Sequence, residues 1–287
     1  MEKVSIGVIG GSGLYQIEAL KAVKEVRLST PFGKPSDPLI VGTLGGIRAA
    51  FLSRHGKGHR YSPTTINYRA NIFAMKKLGV ERILSVSAVG SMKEEIAPGD
   101  IVVPNQFYDH TKHRASTFFD RGIVAHIPFS DPVCPEVASV LAQSGRAEGA
   151  RVHEEGTYLC MEGPQFSTRA ESLLYRGFGV DVIGMTNATE AKLAREAEIC
   201  YATLALATDY DCWHVEEKPV TAEAVLEILR QNVELSKRVI AQAIVKLPRE
   251  RGCACGAVLQ NSIMTQKKMI PSKIRQDLKP IIGKYLK

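Results

Sequence analysis

The chain has 287 residues, 45% hydrophobic and 23% charged, a composition that excludes a disordered or fibrous chain and allows one large domain or two small ones. Its 37 Lys+Arg outnumber 30 Asp+Glu for a net charge of +7, but ten basic and only two acidic residues fall between Lys246 and Lys287, so the body is close to neutral and the excess sits in the tail. A basic tail with Tyr285 as its sole aromatic is weak support for nucleic-acid binding. No apolar run approaches the roughly 20 residues of a membrane-spanning helix, and the N-terminus lacks a signal-peptide pattern. A cytoplasmic protein without a membrane or nucleic-acid partner is expected.

In chain order, β-rich runs are predicted at Val4–Ile9, Leu39–Leu44, Ile47–Leu52, Arg82–Val86, Ile101–Val103, Gly156–Met161, Val180–Ile183 and Ile199–Ala207. The second and third adjoin at Gly45-Gly46 and read as a hairpin. Ile66, Ala70, Phe73, Ala74 and Leu78 share one face of a helix after Pro63. Val225, Ile228, Leu229, Val233, Ile240 and Ile244 give a longer amphipathic helix with Thr221 as its N-cap. Strands alternating with helices around a hairpin predict an α/β fold: a single domain with a central mixed sheet flanked by helices. Residues 1–248 form that domain, and 249–287 form a basic C-terminal tail that is partly helical, with Pro271 and Pro280 keeping any helix short.

Six segments at strand ends could carry chemistry. Gly10-Gly11-Ser12-Gly13 follows the first strand and reads as a phosphate nest or a tight glycine turn. A dinucleotide site is disfavoured because no acidic residue follows in Arg27–Lys34 to hold a ribose. Arg54-His55, with His59 nearby, suits an oxyanion clamp in which Arg supplies a fork of donors and His a further one; the alternative is a solvated basic loop. The HxxxH spacing of His55 and His59 is interrupted by glycines, so no metal pair is expected. Ser85–Ser91 adds small residues and hydroxyls at a third strand end. Glu162–Glu171 places Phe166 after a Gly-Pro turn, either to stack on a planar ligand or to anchor the core. Gly184–Asn187 closes another strand. Asp209 and Asp211, spaced i, i+2 before Trp213, could project together, one of them holding a proton to donate.

Of the six cysteines, Cys160 and Cys200 lie in apolar stretches and read as buried thiols. Cys253 and Cys255 form a CxC with no histidine nearby, too few ligands for zinc. They are either unremarkable thiols or a redox or inter-subunit pair.

The strings GVIGGSGL, TPFGKPSD, RHGKGH, SAVGSMKEEIAPGDIV, EGPQFSTRAE, GMT and ATDYDCW, in this order over Val4–Pro248, resemble the trimeric purine nucleoside and methylthioadenosine phosphorylases. TPFGKPSD with ATDYDCW is closest to the methylthioadenosine branch. The resemblance implies phosphorolysis of 5′-methylthioadenosine to adenine and 5-methylthioribose 1-phosphate, with action on adenosine, inosine or methylthioinosine as the alternative. It implies no cofactor, inorganic phosphate as co-substrate, and a homotrimer or a dimer of trimers. By resemblance, Ser12, Arg54, His55, Ser87, Ala88 and Thr186 bind phosphate, Met185 lies against the ribose and Phe166 against the base. Asp209 faces N7 and Asp211 the exocyclic amine. Val225 and Leu226 line the 5′ pocket, His59 stands close by, and His126 comes from a neighbouring subunit. Ser167 and Ala222 match positions that govern substrate choice. The chain departs from the family pattern after Thr186, where Asn187-Ala188-Thr189 lacks the usual proline before Glu190. Its CxC resembles one in the hexameric archaeal members.

Overall fold

The computed structural model describes residues 4–11, 13–14, 16–214 and 222–286, with the side chains of 222–229 outside the described set. Among the described residues, eleven strands form one mixed sheet: β1 (Ile6–Gly10), β2 (Lys21–Val26), β3 (Leu39–Leu44), β4 (Ile47–Ser53), β5 (Arg82–Ser91), β6 (Ile101–Val103), β7 (Gln106–His110), β8 (Val152–Glu154), β9 (Thr157–Met161), β10 (Val182–Gly184) and β11 (Cys200–Tyr210). The helices are α1 (Tyr68–Leu78), α2 (Pro135–Ala147), α3 (Arg169–Gly177), α4 (Asn187–Glu196), α5 (Ala222–Lys246), and the short α6 (Ser272–Asp277) and α7 (Lys279–Ile282).

The main path of the sheet runs β2-β3-β4-β1-β5-β10-β9-β7. It branches at β5, which is parallel to both β1 and β11 and antiparallel to β10. From β11 the second branch continues through β6 to β8. Two residues carry the chain from β6 into β7, and two from β8 into β9, so the branches are stitched together by consecutive strands. The β3–β4 hairpin turns at Gly45 (φ 55°) and Gly46 (φ 81°), the pair of positive φ angles that its twist requires. β1 is buried on both faces, as expected of a strand between two parallel neighbours. At Gly7 an added Cβ would stand 2.9 Å from Met75 Sδ, so its absence lets α1 lie close on the sheet.

Asn67 caps α1 by accepting from Ala70 N, and Gly79 ends it at φ 94°. Thr221, the expected cap of α5, lies outside the described residues. The inward face of α5 differs from the predicted stripe: Asn232 and Ser236 are buried with Ile240 and Ile244, while Val233 is 36% exposed and lines a cavity. Among the described residues no helix is long and apolar enough to cross a membrane.

The segment after Pro248 folds back onto the body. Leu259, Ile270, Leu278, Ile281 and Ile282 join one apolar cluster with Ile72 of α1 and Leu193 and Ala194 of α4. Glu198, buried beyond the end of α4, accepts from Leu259 N at 3.0 Å and pairs with Lys284 at 2.6 Å. Ile282→Ala is expected to lower unfolding free energy by about 2–5 kcal/mol, as for other buried aliphatic truncations. An unchanged denaturant midpoint would mean that the segment is not part of the cooperative unit.

Candidate active site

β1, β4, β5 and β11 are parallel neighbours, and ligands of such sheets gather at the carboxyl ends of the strands. There, a cavity of about 140 Å³ is walled by Gly11 and Leu14 after β1, Val86 and Ala88 of β5, Leu206 and Thr208 of β11, and Asn232 and Val233 of α5. A larger cavity of about 350 Å³ lies between residues 64–69 and 113–115. The smaller one is the candidate site because Ala88 lines it and two of its wall residues, Val86 and Thr208, are hydrogen-bonded to the sequence-predicted Arg54 and Asp209.

Arg54 directly follows β4, and its N–H donates to Gly10 O at 2.9 Å, tying the ends of β4 and β1. The side chain is buried, with Nε donating to Glu190 Oε1 at 2.5 Å and Nη2 to Glu190 Oε2 at 3.0 Å. Nη2 also donates to Ser85 Oγ at 2.7 Å, and Nη1 to the carbonyl of Val86, a residue of the cavity wall, at 2.9 Å. The fork that the sequence assigns to an oxyanion is therefore closed on Glu190 (a partner 136 residues away), leaving the Nη1 edge toward the wall. Burial works against the guanidinium charge, but Glu190 outweighs it and raises the pKa. Glu190 also accepts from Ser85 Oγ at 3.1 Å and Tyr201 OH at 3.0 Å. Beside it, Asn187 Nδ2 donates toward Ser85, Tyr201 and Thr203 at 2.8–3.0 Å. The buried Thr186 donates to Asn187 Oδ1 at 3.0 Å, immediately before α4.

His55 stacks on His59 with ring centroids 4.2 Å apart, and its Nδ1 lies 2.9 Å from Tyr61 O. A carbonyl only accepts, so Nδ1 carries the hydrogen and Nε2 presents a lone pair. Burial, then the Arg54 charge, push the imidazole down to about 4. The expected further donor is thus a neutral ring whose free nitrogen accepts. Ser87 is buried with its hydroxyl on Ala88 O at 3.2 Å, while Ala88 is exposed to the cavity.

On the other side of the strand ends, β11 bulges between Ala207 and Asp209. A Cβ on Gly90 would lie 3.2 Å from Asp209 Oδ1 and 3.4 Å from Asp211 Cβ, so both acidic residues lean over the same bare stretch of β5. Asp209 Oδ2 accepts from Thr208 Oγ1 at 2.7 Å. Asp211 is buried, accepts from Ser172 Oγ of α3, and donates its N–H to Ser91 O at 3.2 Å. Thr168 and Glu171 form a capping box that fixes the start of α3, and with it Ser172. Phe166 is 84% exposed and anchors no core. Ser167 meets Met161 Sδ at 3.7 Å and accepts from Cys212 Sγ at its carbonyl.

Arg114 was not singled out by the sequence. Buried, it donates to Glu162 O at 2.6 Å, Tyr68 OH at 3.2 Å and Met185 O, pinning Met185 and the Glu162–Phe166 loop together. Burial acts to raise the Glu162 carboxyl, but the N–H groups of Lys112 and His113, the Thr64 hydroxyl and Arg114 outweigh it and hold it at about 2. Nothing in HTKHRAST distinguishes this arginine from a solvated one. His126 is exposed on the strand-like segment that meets the C-terminal region, its N–H on Ser262 O at 2.8 Å, rather than among the strand ends. Ser12 lies outside the described residues, and so do the side chains of Ala222, Val225 and Leu226 on α5.

Residues 5–245 match the model of the phosphorylase superfamily. The chain belongs to that superfamily. Within it, the S-methyl-5′-thioadenosine phosphorylase of Geobacter sulfurreducens is 58% identical over 287 residues, the whole of both chains. The crystal structure of a methylthioadenosine phosphorylase from an antarctic soil metagenomic library superposes with a TM-score of 0.93 at 46% identity, covering 98% of this chain and 99% of that one. The methylthioadenosine phosphorylase of Schistosoma mansoni in complex with adenine gives a TM-score of 0.86 at 37% identity, over 92% and 100%. This phosphorylase-superfamily chain shares its whole length with the Geobacter protein, so the segment after Pro248 has a counterpart there.

Removing the arginine by Arg54→Ala leaves Glu190 buried and unpaired, which is expected to cost about 3–5 kcal/mol of stability in denaturant unfolding; a loss below about 1 kcal/mol would contradict the pairing. A second expectation concerns acid. The unfolded chain protonates His55 near pH 6.5, whereas the folded chain refuses the proton until about pH 4. The His55 contribution is present above pH 6.5 and lost as pH falls toward 4. His55→Gln should flatten that part of a stability–pH curve; an unaltered curve would show that the ring is not held neutral.

Proposed function

We propose that this chain cleaves 5′-methylthioadenosine with inorganic phosphate, forming adenine and 5-methylthioribose 1-phosphate. The observation that carries the proposal is the pair Asp209 and Asp211 over Gly90, at the same strand ends as Arg54 and His55. Anion donors and carboxylates at the ends of one set of parallel strands suit a nucleoside held between phosphate and base contacts. The names of the relatives, and adenine in the Schistosoma complex, support the same substrate class.

Breaking the C1′–N9 bond sends its electron pair into the purine and leaves positive charge on the sugar. A phosphate oxygen forms the new bond to C1′ and stabilises that charge as it approaches. In this reading the phosphate is held by Ser12, Arg54, His55, Ser87, Ala88 and Thr186. A phosphate dianion keeps one hydrogen, which the lone pair on His55 Nε2 accepts; Arg54 acts from its Nη1 edge while Glu190 sets its plane. Protonated Asp209 gives its proton to N7 of the leaving purine, and Asp211, oriented by Ser172, accepts from the 6-amino group. Phe166, exposed on its loop, stacks on the base, and Met185, fixed by Arg114, lies under the ribose. Val225 and Leu226 line the 5′ pocket beside His59, His126 reaches the site of a neighbouring copy in a homotrimer or dimer of trimers, and Ser167 and Ala222 tune substrate choice. No cofactor enters the reaction.

Base release from methylthioadenosine, adenosine, inosine and methylthioinosine, with and without phosphate, tests this reading. Methylthioadenosine should be the best substrate and phosphate should be required; inosine as the best substrate would overturn the carboxylate argument. Asp209→Asn should lower turnover by roughly 10²–10⁴ with the fold intact, the usual scale of a general acid. Unchanged turnover would remove Asp209 from that role.

A further inference from the structure

Four cysteines that are distant in sequence meet at one point of the fold. Cys134 stands at the N-terminal end of α2, Cys200 opens β11, and Cys253 and Cys255 lie on the first turn after Pro248. All four Sγ atoms lie within 4.8 Å of one another, with those of Cys200 and Cys253 3.3 Å apart. Cys134, Cys200 and Cys255 are buried and Cys253 is half-buried. The expectation that the CxC lacks ligands holds for the tail alone; the fold supplies the other two sulfurs.

Four thiolates about 2.3 Å from a tetrahedral zinc ion stand about 3.8 Å from each other, a spacing these side chains reach by small rotations. Two disulfides could also use all four sulfurs at about 2.05 Å, but the four are free thiols here, with Cys200 and Cys253 Sγ 3.3 Å apart. An all-sulfur donor set selects soft or borderline cations over magnesium or calcium. A divalent ion with four thiolates carries a net charge of −2, and two guanidiniums are in place to meet it. Arg195 Nη1 donates to Cys255 Sγ at 3.5 Å, and the Arg251 charge interacts with Cys200. The backbone on each side is held independently of the sulfurs. Cys134 N donates to Tyr201 O at 2.8 Å, Gly252 N to Glu136 Oε2 at 2.8 Å, and Arg251 Nη1 to Glu198 O at 3.0 Å.

We propose that Cys134, Cys200, Cys253 and Cys255 bind one Zn²⁺ as a tetrathiolate site that clasps the C-terminal segment to the body. The four thiols release their protons to solvent as the ion enters, and no redox step is involved. The clasp acts where the C-terminal segment packs on α4, the helix whose first turn carries Glu190.

The test uses the full chain, purified under reducing conditions and incubated with zinc, then dialysed. Elemental analysis should find one zinc per chain, removal by a strong chelator should lower the melting temperature, and zinc should restore it. Replacement by Co²⁺ should give intense sulfur-to-cobalt charge-transfer absorption, a readout on the unmutated chain that does not depend on any variant folding. Cys253→Ser and Cys255→Ser should each lose zinc, whereas Cys212→Ser, at an exposed cysteine outside the cluster, should keep it. Reduced protein that takes up no zinc overturns the proposal. So do cobalt spectra without thiolate bands, zinc retained by the Cys253→Ser/Cys255→Ser double variant, and cysteines found in disulfides that zinc and reductant together do not replace.

Discussion

The buried ion pair between Arg54 and Glu190 is the constraint on which the strand ends depend. An isolated charge at either position would be prohibitive in the interior, and the pair is tolerated because its polar atoms are met from several sides. Arg54 comes from the end of β4, Glu190 from the first turn of α4, Ser85 and Val86 from β5, and Tyr201 from β11. Satisfying this one network fixes how four parts of the chain are placed relative to one another. The cavity walls at Val86, Ala88 and Leu206 lie on two of those strands. The Gly90–Asp209–Asp211 contact lies further along the same two strands. Arg54 and the Asp209–Asp211 pair are thus spaced by a common frame.

The charge of the chain takes on a different meaning once it is placed in space. The basic excess after Lys246 belongs in part to contacts with the body. Lys284 pairs with buried Glu198, Arg251 donates to the Glu198 carbonyl, and Gly252 meets Glu136, which in turn pairs with Arg82 at 3.3 Å. These links and the apolar cluster hold the segment against α1 and α4.

Strands that carry continuous apolar runs were legible in the sequence, because burial on both faces writes itself as uninterrupted Val, Ile, Leu and Ala. β2 was not: KAVKEV is an exposed edge strand with charges along it, and nothing apolar repeats. α4 has no apolar stripe to read, since Asn187, Thr189, Glu190 and Glu196 are buried together with its alanines and only Lys192 and Arg195 are half-exposed. Arg54, His55, Asp209 and Asp211 were legible as chemistry at strand ends. Their immediate partners were not, because Glu190 and Ser172 arrive through tertiary packing, and Tyr61 through loop turns that bring its carbonyl back onto His55. The ring of His55 illustrates the cost of that gap: sequence suggested a donor, and one carbonyl, Tyr61 O, makes its free nitrogen an acceptor. Arg114 and the four-cysteine cluster depend wholly on segments that meet only in the fold.

In the proposed reaction Glu190 touches neither substrate and acts by setting the plane of the Arg54 guanidinium. Steady-state kinetics of Glu190→Gln, with phosphate and nucleoside varied separately, tests this most directly. A raised KM for phosphate, a nearly unchanged KM for the nucleoside and an intact fold by circular dichroism are expected. An unchanged KM for phosphate in a folded variant would contradict it.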